Sequence, residues 1–231
     1  MDNRMDNVRK ATVISINLWV FIGLQVLGVF LSLYAYFISM PTKMVIFGGF
    51  MATPQLSDGA MMLAYGLKIA AAICVTIGYM LIASLGFFEK GFVVIGFIEM
   101  IGYFLSCFND SIKELYGIPG FVYLMVFLLL NVFFAKFLAT TMASILDKAN
   151  STLGEHWQNY YAAIWATLIL GVIAGILFFI FDQLSLYRNL LSFALSVLAI
   201  WKFLLYIRTA FTLSRNNNGG FEKDKDQLAL I

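Results

Sequence analysis

Histidine occurs once in this chain, at His156, and cysteine twice, at Cys74 and Cys107. One imidazole cannot build a His-ligated metal cluster or bis-His haem ligation. The two cysteines show neither CxxC nor Cys/His spacing, so they read as small apolar packing residues rather than metal or redox centres. Neither a metal nor any other cofactor is expected. Charge is equally scarce. Asp, Glu, Lys and Arg make up 12% of 231 residues, where soluble domains carry about a quarter. The net charge of +2 is too small to call for nucleic acid or another strongly charged partner.

Familiar catalytic patterns are missing too. There is no Gly-rich phosphate loop, no HExxH, no GxSxG and no carboxylate pair within an apolar run. An intramembrane enzyme needs more ionisable groups converging at one depth than this chain offers, so catalysis is not expected. No internal repeat links the first half of the chain with the second, which removes one common pointer to a transporter.

What the chain has in excess is apolar sequence. Hydrophobic residues make up 61% of it, and the mean hydropathy is +0.88. A soluble chain could not bury so much apolar surface. Runs of 18 or more apolar residues match the roughly 20 a helix needs to cross about 30 Å of hydrocarbon, whereas barrel strands would be short and alternating. The fold class is therefore an all-α, polytopic transmembrane bundle of about six spans, surrounded by the lipid bilayer. The spans fall at about 11–40, 60–88, 91–108, 120–146, 160–181 and 190–207. They follow a short N-tail, residues 1–10, and precede a flexible C-tail, residues 208–231, rich in Asn, Gly and mixed charge.

The first apolar run is expected to stay attached as a span rather than be cleaved as a signal peptide, since it is about twice a signal peptide's length and ends in YFISMP. The connection at 41–59 holds two of the three prolines and a Gly-Gly pair, yet is too apolar for a solvated loop. It lies against the membrane or the bundle; a re-entrant pore loop would have similar composition but shows no recognised filter sequence.

Within the spans, Glu99 is the residue to explain. A charged side chain at bilayer depth is costly and normally faces protein or water with a partner. Lys136 is the charge available on the following span, and counting from Lys90 and Asp147 puts both groups about 14–17 Å from the same membrane face. A Glu99–Lys136 pair is expected, within a polar centre that also holds Asn131 and Asn17. Asn131 lies five residues from Lys136, too far around the helix for both to face the Glu99 span. Asn17 and Gln25 are expected to hydrogen-bond between helices. Lys68, Trp201 and Lys202 lie near span ends and read as interfacial anchors. Gly171 and Gly175, in GxxxG spacing, permit close helix packing. The loop 147–159, with its lone His156, reads as solvated.

Orientation follows from basic residues. The two tails and the loops on their side hold nine Lys and Arg; Lys43, Lys113 and Arg188 are the three on the other. Both termini are then cytoplasmic, in a plasma or inner membrane. Two functional readings result. One is a non-enzymatic structural or assembly subunit, as a homo-oligomer or bound to other membrane subunits. The other is a small channel or a proton- or cation-coupled transporter that uses Glu99, with Lys136 as counter-charge.

Overall fold

A computed structural model describes residues 2–39, 58–112, 118–148, 151–180 and 184–217. The connection at 41–57 and the tail beyond Asn217, for which re-entrance and flexibility were considered, lie outside the described residues. Almost all of the described residues are helical, and no strand occurs among them. Six helices follow in order: α1 (Asp2–Ser39), α2 (Asp58–Ser84), α3 (Gly91–Ile112), α4 (Ile118–Lys148), α5 (Leu153–Ile180) and α6 (Leu184–Asn217), with a short 3-10 turn at Leu85–Phe87 after α2. Five contain apolar stretches long enough to cross a membrane: Arg9–Ile38, Gly59–Phe87, Leu129–Asp147, Leu153–Phe178 and Asn189–Arg215. The apolar stretch of α3, Gly91–Phe104, is shorter, though its 22 residues extend about 33 Å.

The helices outrun the hydropathy. α1 begins at Asp2, inside the expected N-tail, and α6 continues to Asn217, ten residues into the expected C-tail. α5 starts at Leu153, so part of the loop expected at 147–159 is its first two turns. His156 is exposed there, as read, but Trp157 beside it is fully buried. Hydropathy marks where lipid lies, whereas a helix ends only where its backbone hydrogen bonds find other partners.

Each helix packs on its neighbours in sequence, and α6 packs back on α1, which closes a six-membered ring. Close approaches fix its register. A Cβ added at Gly91 would lie 2.0 Å from Thr141 Oγ1 on α4, and one at Gly96 would lie 2.7 Å from the Ala83 nitrogen and the Tyr79 carbonyl oxygen on α2. On the other side of the ring, Ser15 Oγ donates to the Ala210 carbonyl at 2.9 Å and Trp157 Nε1 donates to Thr209 Oγ1 at 3.0 Å. Gly91, Thr141, Ser15, Ala210 and Trp157 therefore mark a common layer at the end of the bundle where α1 starts and α6 finishes. Depth along any helix can be counted from it.

Polar groups inside the spans mostly satisfy themselves locally. Thr76, Thr140, Thr167 and Ser196 each donate to a carbonyl four residues back, at 2.7–2.9 Å, so they bring no unpaired group into the hydrocarbon. Asn17 does the same. Its Nδ2 donates to the Val13 carbonyl at 2.9 Å, in place of the interhelical bond expected of it. The outside of the ring is apolar, with Phe30, Phe37, Leu170, Phe193 and Ile200 among many exposed large side chains. In water such a surface would be an aggregation hazard; against lipid it is the appropriate solvent face.

Candidate functional site: a caged ion pair at the bundle centre

Glu99 on α3 forms an ion pair with Lys202 on α6, whose ammonium donates to Oε1. The expectation of a Glu99–Lys136 pair is thus corrected. Lys136 is exposed on α4, and it lies five residues, or about 7–8 Å, inside the Gly91–Thr141 layer. An exposed lysine at that depth runs its stem along lipid and its ammonium toward the interface. Glu99 is eight residues from Gly91 and Lys202 eight residues from Ala210, so both charges sit about 12 Å inside the layer. Equal depth, on helices opposite one another in the ring, is what lets them meet.

The reason sequence reading missed Lys202 is specific. Hydropathy ends the sixth span just before Arg208, which makes Lys202 look interfacial. In the structure α6 continues for nine residues beyond Arg208, and the layer that closes the bundle is at Ala210. Trp201 and Lys202, expected at the membrane surface, both turn inward and are only partly accessible.

Every helix contributes to the surroundings of the pair. From α4, the Phe134 ring lies under the ammonium, with Nζ 5.1 Å from its centroid, a cation–π arrangement. From α2, Tyr79 lies beside the Glu99 carboxylate. Tyr160 on α5 and Tyr206 on α6 lie near enough to sense the charges of the pair. A train of aromatic contacts, the first two tilted and the other four edge to face, links these rings. Tyr103 touches Tyr79 at 6.4 Å between centroids, Tyr79 touches Phe21 at 5.8 Å, and Phe21 touches Tyr206 at 5.1 Å. Tyr206 then meets Trp157 at 5.3 Å, Trp157 meets Tyr160 at 6.1 Å, and Tyr160 meets Trp201 at 6.0 Å. These spacings suit aromatic quadrupoles meeting edge to face. The four tyrosines, one on each of α2, α3 and α5 and one on α6, were a sequence signal that could have located the centre.

Two features distinguish this cage from an ordinary buried pair. The first is access. Glu99 keeps 12% and Lys202 22% of their side-chain surface accessible, while the packing between them and the Gly91–Thr141 layer is closed: Leu18, Phe92, Ile95, Leu138, Trp157 and Leu205 are each 0–1% exposed. The residual opening therefore does not pass through that layer. The second is an unsatisfied group. Tyr206 is 1% exposed and its hydroxyl has no hydrogen-bond partner among the described residues. Such a group costs about 1–3 kcal/mol unless something fills the gap. Gln25 Nε2 shares this condition.

The remaining expected residues lie elsewhere. Asn131 is half-buried on α4, five residues farther from the layer than Lys136. Lys68 is exposed on α2, with its ammonium 5.9 Å from the Tyr65 ring. Gly171 and Gly175 are both buried, and the Gly171 carbonyl accepts a hydrogen bond from Tyr187 at 2.9 Å. Cys74 is a partly buried free thiol, and the Cys107 side chain lies outside the described residues. No group of three or more potential metal ligands occurs among the described residues. The chain is an all-α integral membrane protein by length and apolarity of its helices, and no family model, curated protein or solved structure matches it.

Proposed function

We propose that the protein is a non-enzymatic structural or assembly component of a plasma or inner membrane complex, with both termini cytoplasmic. The observation that carries this reading is the placement of the Glu99–Lys202 pair: it ties α3 to α6 across the middle of the ring, where neither helix is the other's packing neighbour. A polar bond at that position sets helix register at a cost in desolvation, the best-attested use of buried ionic groups. The continuous apolar exterior leaves room for lipid, a second copy or another membrane subunit.

A second reading, passage of protons or small cations with Glu99 as the binding carboxylate and Lys202 in the counter-charge place first given to Lys136, is favoured by the residual access to the pair and by the unpartnered Tyr206 hydroxyl. Flux assays in liposomes separate the two. The structural reading expects proton and monovalent-cation leak no greater than in protein-free vesicles, for wild type and Glu99→Gln alike. A flux in wild type that Glu99→Gln abolishes would replace it with the transport reading.

A further inference from the structure

The surroundings of the Lys202 ammonium have the composition of a cation receptor. A carboxylate oxygen faces it from α3 and an aromatic ring lies beneath it from α4, while Tyr160 on α5 lies near the lysine and Tyr79 on α2 and Tyr206 on α6 lie near the carboxylate. These are the elements that recognise small ammonium ions: a counter-charge, a π face and oxygen acceptors for N–H donors. One of the hydroxyls, on Tyr206, is fully buried and has no partner among the described residues. A hydroxyl can accept as well as donate, so the cage holds more hydrogen-bonding capacity than the lysine uses.

We propose that the space around Glu99, lined by Phe134, Tyr79, Tyr160 and Tyr206, is a binding site for a small primary ammonium ion, and that the chain's own Lys202 ammonium is its resting occupant. Most of the site comes from helices other than the one that carries the occupant: Lys202 and Tyr206 share α6, and the rest of the lining comes from four others, α2, α3, α4 and α5. Withdrawing the lysine therefore leaves most of the receptor standing. Access is limited to the side away from the Gly91–Thr141 layer, because the packing toward that layer is closed. The proposal needs the pair and its cage. It does not need the pair to control helix register.

Lys202→Ala removes four heavy atoms, the same number as in propylammonium, and leaves Glu99 without its partner. The test is the melting temperature of purified Lys202→Ala with propylammonium, with 1-propanol as a neutral analogue of the same size, and with tetramethylammonium as an ion that cannot donate. A ligand that binds only the folded protein raises its melting temperature in a concentration-dependent way. Propylammonium is expected to raise that of Lys202→Ala saturably and by a few degrees, with no comparable response to the other two compounds and none in the Glu99→Gln/Lys202→Ala double variant. If the single variant is lost on extraction, its folded yield on solubilisation with propylammonium becomes the readout, with the same controls. Equal rescue by propanol shows filling of an apolar hole and overturns the proposal. So does rescue that persists without the Glu99 carboxylate, or no rescue in either readout. Rescue together with strictly additive effects of Glu99 and Lys202 substitutions would leave this site in place while removing the register reading.

Discussion

A hydroxyl's worth in this bundle depends on what it meets. Tyr187 and Tyr206 are both buried, yet Tyr187 Oη donates to the Gly171 carbonyl while Tyr206 Oη has no partner among the described residues. Removing the first deletes a buried hydrogen bond to a helix carbonyl; removing the second deletes an unsatisfied group. Tyr187→Phe is therefore expected to lose about 1 kcal/mol of stability, and Tyr206→Phe to be neutral or slightly stabilising in the absence of added ligand. Thermal melts of the two variants in one detergent check both statements. A Tyr206→Phe loss as large as that of Tyr187→Phe would mean that its hydroxyl already has a partner. At the same scale, Glu99 was legible in the sequence because a lone carboxylate in an apolar run is conspicuous. Its partner was not, because Lys136 and Lys202 look alike until depth is measured from the packing of neighbouring helices.

Among elements, the α2–α3 contact is a place where added volume meets backbone. At Gly96 a methyl group would press on backbone atoms of Ala83 and Tyr79 at 2.7 Å, and backbone cannot rotate away as a side-chain tip can. Gly96→Ala should separate α2 from α3 and cost about 1–3 kcal/mol. Gly66 and Gly102 are the internal controls, since nothing lies within 4 Å of an added Cβ at either. Alanine there should be neutral, or stabilising by up to about 1 kcal/mol through helix propensity. Six helices are what the apolar segments of the sequence call for, but two of them run well past those segments. Asp2–Lys10 and Arg208–Asn217 are polar and yet helical, because nothing in their composition breaks a helix once the adjoining span has nucleated it. That extension displaced the apparent end of α6 and, with it, the depth assigned to Lys202.

For the whole molecule, an even number of helices in a closed ring puts the start of α1 and the end of α6 at one end, with the α2–α3 and α4–α5 connections beside them. Reporter fusions should place residue 152 on the same side as both termini, and residues 50 and 115 on the other; under the proposed orientation the first side is the cytoplasmic one. Residue 152 opposite the termini would break the ring. The central claim is narrower: one ion pair, Glu99 with Lys202, holds the middle of this ring. A double-mutant cycle read by thermal unfolding tests it most directly. Glu99→Gln and Lys202→Met should each be destabilising by about 3 kcal/mol, the lower end of what breaking a buried pair costs, because both side chains keep some exposure. Together they should cost clearly less than the sum of the two, while Glu99→Gln with Lys136→Met should be additive. Additivity at 99 and 202, or coupling at 99 and 136, would contradict the account.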